Sequence, residues 1–160
     1  MRNEVTIRRA GMDDLGVVAE LINHGADDAP KYRVDEALMA GMRESFLAID
    51  GSDNDQLMVA VWDGEVVGTF HVKYLYFLAG AGRPDALVEA VHVFKAFRGR
   101  GVGKAMMDWV MNAARERDCR RIQLTSNKLR ERAHGFYERL GFAKSHDGFR
   151  LVLGAAAPST

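Results

Sequence analysis

The spacing of apolar positions changes several times along this chain. Val5 and Ile7 alternate with polar neighbours and predict a short strand. Met12, Leu15, Val18, Ala19 and Ile22 recur at helical spacing. Asp13 and Asp14 fall in that helix's first turn, where negative charge suits the dipole. A polar loop with Gly25 and Pro30 follows. Leu38, Met42 and Phe46 predict a second helix, weakened by Gly41 in its interior. Gln56 to Trp62 and Glu65 to about Leu78 predict two strands. They are joined by Asp63-Gly64, a pair suited to a type I′ turn. Ala79 to Asp85 reads as a turn, and Ala86 to Val93 as another strand.

The strongest helix signal comes next. Val102, Ala105, Met106, Trp109, Val110, Ala113 and Ala114 form one apolar stripe. Arg121 to Thr125 predicts a strand. Ala133, Phe136, Tyr137 and Leu140 predict a shorter helix, with Gly141 in the C′ position. Phe142 to Ser145 and Phe149 to Leu153 predict two closing strands. Residues 154–160 are mostly small and read as a flexible tail. The order is strand, helix, helix, three strands, helix, strand, helix, two strands. That is a mixed α/β layer fold with a central sheet, one domain over residues 1–153.

Composition narrows the function classes. A chain of 160 residues with 48% hydrophobic and 28% charged residues can bury a real core. Basic and acidic residues balance at 22 each, which argues against non-specific nucleic-acid or membrane-surface binding. Cys119 is the only cysteine, so neither an intrachain disulfide nor a CxxC metal knuckle can form. His71, His134 and His146 lack metal-ligand spacing, and no metal is expected. No apolar run has signal-peptide or membrane-spanning length, so a cytoplasmic location is the expectation.

Chemistry concentrates at Arg98-Gly99-Arg100-Gly101-Val102-Gly103. This segment links an apolar strand to the strongest helix. Glycines there let backbone N–H groups approach an anion, and the helix dipole favours negative charge. Arg98, Arg100 and Lys104 add cationic side chains. A Walker A loop fails, because Arg98 stands where its first Gly belongs and Ala105 replaces Ser/Thr. The dinucleotide fingerprint fails at Lys104. The pattern Arg/Gln-x-x-Gly-x-Gly/Ala is met by Arg98, Gly101 and Gly103.

On these residues the chain resembles the GNAT superfamily of N-acetyltransferases, whose acetyl-CoA pyrophosphate loop has that pattern. Ala133-His134-Gly135-Phe136-Tyr137-Glu138-Arg139-Leu140-Gly141-Phe142 resembles the family's second conserved segment. Asn127 falls where many members touch the pantetheine arm. The resemblance implies a mostly antiparallel twisted sheet of six to seven strands flanked by about four helices. It implies acetyl-CoA as cosubstrate, held by Val91, His92, Val93, the run Arg98 to Lys104, Asn127, Ala133 and Phe136. It also implies a homodimer.

Acetyl transfer needs a neutral amine. An alkylammonium has pKa ~10.4 and a carboxylate ~4.3, so direct transfer is uphill by ~6 units. Burial or an intervening water must narrow that gap. Glu89, on the strand leading into the loop, is the candidate base. Simple alternation puts Glu89, Val91 and Val93 on one face, with Ala90 and His92 on the other. Its bland alternative is a solvated strand charge. Tyr137 falls on the family's thiolate-protonating tyrosine, and its alternative is core packing. His92 is an alternative base, or a packed histidine. Backbone N–H groups near Val91 and Val93 can polarise the thioester carbonyl where that strand splays from its neighbour.

For the acceptor, Asp27 and Asp28 can attract a cationic amine, or merely be solvated loop charges. Ser145 to Leu151 resembles small-molecule members, among them aminoalkylphosphonate acetyltransferases, but locally, and it assigns no substrate. The leading expectation is a small-amine N-acetyltransferase with no nucleic-acid or membrane partner. The alternatives are a protein lysine or N-terminal acetyltransferase and a non-catalytic acyl-CoA-binding module.

Overall fold

The computed structural model describes residues 4–24 and 32–154. The loop positions Asp27 and Asp28 and the tail beyond Gly154 lie outside the described residues. The described chain divides into two compact units, Met1–Leu124 and Thr125–Thr160.

The first unit is built on one five-stranded sheet in chain order: β1 (Thr6–Arg9), β2 (Asp55–Trp62), β3 (Glu65–Leu75), β4 (Asp85–Val93) and β5 (Ile122–Leu124). β1 to β4 pair antiparallel, and β5 lies parallel to β4. The hairpin between β2 and β3 turns at Asp63 and Gly64, with φ of 49° and 84°. Both residues take positive φ, as a type I′ turn requires.

Alternation along β2 separates two apolar faces. Leu57 and Val59 pack with Ala10, Leu15, Val18 and Phe46, beneath α1 (Leu15–His24) and α2 (Glu36–Asp50). On the opposite face, Phe70 of β3 meets Trp109 of α3 (Val102–Glu116) edge to face at 5.6 Å. The α3 stripe of Val102, Met106, Met107 and Val110 is almost fully buried. Each such side chain contributes about 1.5–3 kcal/mol by leaving water. Helix starts are stabilised locally. The Asp35 carboxylate accepts the Leu38 N–H at 3.0 Å, and Asp14 accepts the Gly11 N–H at 2.7 Å while pairing with Arg8. The helix predicted from Met12 therefore begins as a 3₁₀ turn, Met12–Asp14, before α1 proper.

The second unit holds α4 (Glu131–Arg139), closed by Gly141 at φ 96°. Among the described residues, 142–145 and 149–153 form no strands, and the sheet has five strands rather than the expected six or seven. Phe149, Leu151 and Leu153 do alternate, but they are 84–99% exposed. Alternation selects a face, whereas a strand also needs a ladder partner, and no described residue pairs with this segment.

Candidate active site

The site in the first unit starts from an irregularity in β4. His71 of β3 pairs with Glu89, and Thr69 pairs with His92. Two steps along β3 thus face three along β4, and Ala90 absorbs the excess in the left-handed region, at φ 50°. The bulge corrects the alternation expected from sequence. Glu89 and His92 now share the α1/α2 face, opposite His71 and Thr69, while Val91 falls inside the bulge. The parallel ladder to β5 ends at Val88 and Leu124. From Glu89 to Val93, the β4 edge away from β3 has no strand partner among the described residues. Among the described residues, no ladder engages Val91 and Val93 on that side.

Glu89 is half-buried, and its carboxylate makes no hydrogen bond or ion pair with the described residues. His92 and Val93 are also half-buried. β4 then passes into a short 3₁₀ turn, Lys95–Phe97. Arg98 Nε donates to the Val93 carbonyl at 3.0 Å and ties the loop back to the strand end. A cleft of about 300 Å³ lies here, lined by Glu20, Leu21 and His24 of α1 and by Val93 to Arg98.

The loop then enters α3. Gly99 and Gly101 have φ of 74° and 89°, and Gly101 is the N-cap. A Cβ at either glycine would meet nothing within 4 Å. Positive φ rather than crowding is therefore what calls for glycine here. The first hydrogen bond of the helix runs from Ala105 N–H to the Gly101 carbonyl at 3.0 Å. The preceding amides, Val102 to Lys104, are the N–H groups that a helix start leaves for a ligand. The cationic residues divide. Arg100 stacks its guanidinium on Phe97 at 5.7 Å, and Lys104 pairs with Asp108 one turn on, at 2.6 Å.

The second unit gathers the other predicted residues. Asn127 Oδ1 accepts the Leu129 N–H at 3.0 Å, and its backbone carbonyl accepts from His134 Nε2 at 2.9 Å. These bonds shape the entry to α4. Ala133 and Phe136 are half-buried on that helix. Tyr137 is buried and touches Phe136 and Phe142 edge to face, at 5.2 and 5.7 Å. Burial pushes its phenol above the ordinary range, against an opposing pull from Arg130. Tyr137 thus stays protonated at neutral pH.

Three groups were not legible as site residues. Ala90 gave no signal, because alanine carries no mark of the left-handed region. Ser126 Oγ is buried without a hydrogen-bond partner, a group that a polar ligand would satisfy. Asp55, at the start of β2, bonds His71 and Lys73, which lie 16 and 18 residues away in sequence. Within the first unit, the strand, glycine loop and helix start fit an anionic group such as a pyrophosphate. Among the described residues no cluster of three or more His, Cys, Asp or Glu could hold a metal ion, and no helix is long and apolar enough to cross a membrane.

Comparison with known proteins identifies the family. The model of the acetyltransferase (GNAT) family matches residues 18–142. The chain is 31% identical to an aminoalkylphosphonate N-acetyltransferase of Salmonella typhimurium over 111 residues, 69% of this chain and 71% of that protein. It is 27% identical to a glucosamine 6-phosphate N-acetyltransferase of Trypanosoma brucei brucei, over 94% and 97% of the two chains. Among solved structures, one described as a transcriptional regulator from Bacillus halodurans C-125 superposes with a TM-score of 0.87 at 33% identity. It covers 94% of this chain and all of that one. A putative acetyltransferase from Agrobacterium tumefaciens superposes at 0.78 with 28% identity, over 92% and 99% of the two chains.

Proposed function

The chain belongs to the GNAT acetyltransferase family, and from that premise we propose that it moves the acetyl group of acetyl-CoA to the primary amine of a small molecule, by direct attack in a ternary complex. The observation that carries the reading is the released β4 edge running into a loop of left-handed glycines at the head of α3. Acetyl-CoA supplies the thioester. In this reading the amides of Gly99 to Lys104, with Arg98 and Arg100, hold its pyrophosphate. Amides from Val91 to Val93 polarise the carbonyl oxygen, as oxyanion donors do. Asn127, Ser126, Ala133 and Phe136 hold the pantetheine arm.

Glu89 removes a proton from the bound ammonium, directly or through water. Tyr137 gives a proton to the leaving thiolate. Family coverage of residues 18–142 spans both compact units, which supports one catalytic domain over residues 1–153.

For the acceptor, the two curated relatives cited above are named for small amines bearing a phosphorus oxyanion. That favours a small molecule over a protein lysine, and an aminophosphonate or amino-sugar phosphate before a plain amine. The exposed Phe149, Leu151 and Leu153 give a second copy an apolar surface to cover, which supports a homodimer. The proposed location is the cytoplasm, where acetyl-CoA would be at hand. The test is acetyl-CoA turnover, followed by free thiol, over aminoalkylphosphonates, amino-sugar phosphates, polyamines and lysine peptides. Turnover confined to peptides would replace the small-amine reading. Acetyl-CoA binding without turnover of any amine would leave only an acyl-CoA-binding module.

A further inference from the structure

One polar constellation on the α1/α2 face has no place in the scheme above. Asp55 opens β2, and its carboxylate collects three donors. Ser52 Oγ donates at 2.7 Å, Lys73 Nζ at 2.5 Å and His71 Nε2 at 2.8 Å. Burial alone would raise the Asp55 pKa, but hydrogen bonds from Lys73, Ser52 and His71 outweigh it and hold the group below the ordinary range. Asp55 is therefore ionised at neutral pH and can only accept. His71 must then carry its proton on Nε2, which leaves Nδ1 as a lone-pair acceptor.

The strand register supplies the second half. His71 stands directly opposite Glu89, on the last regular pair before the β4 bulge. Side chains so paired lie on one face with Cβ atoms about 4.5–5.5 Å apart. Glu89 has no hydrogen-bond or ion-pair partner of its own among the described residues. The charged groups facing His71 are Asp55 on β2, Lys73 on its own strand and Glu89 on β4. Above this face, α1 and α2 contribute Leu15, Val18 and Phe46. The titratable residues of α1, Glu20 and His24, line the cleft at Val93 to Arg98 instead.

We infer that His71, oriented by Asp55, is the final acceptor of the amine's proton and works with Glu89 across the strand pair. The inference rests on the acetyltransferase reading. In this step an ammonium N–H bond breaks, and its electron pair stays on nitrogen to attack the thioester carbonyl. Glu89 takes the proton and passes it to His71 Nδ1. The imidazolium so formed faces the Asp55 carboxylate, which remains ionised as a positioning group. The C–S bond breaks with its pair on sulfur, and the thiolate takes the Tyr137 proton. A second N–H bond of the attacking nitrogen breaks as the amide forms, its proton passes through water to the Tyr137 phenolate, and His71 releases the first, so the net reaction yields amide, free thiol and one proton. His71 begins neutral, because burial lowers its pKa more than the Asp55 hydrogen bond raises it.

The experiment pairs kinetics with NMR on the full chain. The His71→Gln variant keeps an N–H donor for Asp55 but has no basic nitrogen. With the best amine found, its kcat should fall about 100-fold, with the amine KM within about threefold of wild type. The acidic limb of its kcat–pH profile should also be lost. Asp55→Asn should lower kcat in the same direction, because it releases the tautomer. In wild type at pH 7, nitrogen-15 spectra should show a neutral His71 protonated on Nε2, a result that needs no variant to fold. An active wild type whose His71→Gln variant keeps kcat and pH profile overturns the role of His71 alone. So does a His71 protonated on Nδ1. A wild type that acetylates no amine overturns the acetyltransferase reading and this step together.

Discussion

Asp85 offers a test of how the candidate site is braced. It is fully buried at the start of β4. Its carboxylate accepts from Arg120 Nε at 2.9 Å and Nη2 at 3.1 Å, Arg121 Nε at 2.9 Å and Gln123 Nε2 at 3.0 Å. These donors sit on β5 or just before it, so one carboxylate pins the parallel pair whose ladder ends at Val88. The Asp85→Asn substitution keeps the volume and removes the charge. Stranding a buried partner costs about 3–5 kcal/mol. Here the Arg120 and Arg121 side chains are 24% and 56% exposed, so water relieves part of that penalty. The expected loss is therefore near the low end, about 3 kcal/mol.

For a chain of this length, each kcal/mol moves Tm by about 2–4 °C, giving a drop of about 6–12 °C at pH 7. The pH dependence has a definite sign. Burial raises the Asp85 pKa, but hydrogen bonds and charge from Arg121 and Arg120 outweigh it, so the folded value lies below the unfolded one. Its contribution is complete above the unfolded carboxylate value of about 3.9 and fades as pH falls through the lower folded value. Thermal melts of wild type and variant from pH 7 downward should converge only below about pH 4. A difference under 1 kcal/mol at pH 7, or one that persists unchanged into strong acid, would refute the reasoning.

Three further substitutions probe separate parts. Gly101→Ala meets no neighbouring atom but must hold φ 89°, which costs about 1–2 kcal/mol; the acetyl-CoA KM should rise about tenfold with kcat nearly constant, as initial-rate kinetics will show. Ala90→Val forces a β-branched residue into the left-handed region at the bulge. It should lower both Tm and kcat, whereas Ala90→Gly should raise Tm slightly in the same melts. Tyr137→Phe preserves the ring contacts with Phe136 and Phe142 and removes only the hydroxyl. Single-turnover rates should fall about 100-fold with Tm little changed; an unchanged rate would reduce Tyr137 to packing.

The sequence was most informative where the chemistry is local. A phosphate cradle needs consecutive residues: a strand, glycines able to take positive φ, and a helix start. Arg98 to Lys104 supplies all of these within a few positions, and Gly99, Gly101 and α3 take the expected conformations. The hairpin at Asp63 and Gly64 was legible for the same reason. The closing strands failed on a non-local condition, since Phe149, Leu151 and Leu153 have the period of a strand without a ladder to join.

The face assignment along β4 failed on a single residue. Period-two alternation holds only while both strands advance in step, and Ala90 adds one position on one side. That one residue moves His92 onto the face of Glu89, and Glu89 itself meets His71 only through the register of β3. His71 in turn meets Asp55 only because the β2–β3 hairpin folds back on itself. Donor binding can therefore be read from a short motif, because a helix start presents its amides wherever it occurs. Proton transfer cannot, because its partners come from three strands and meet only through the β2–β3 and β3–β4 registers. Chains with the same glycine loop but a β3–β4 register slipped by one residue should therefore bind the donor and lack the Glu89–His71 pairing, so that register discriminates more sharply for catalysis than the glycine loop.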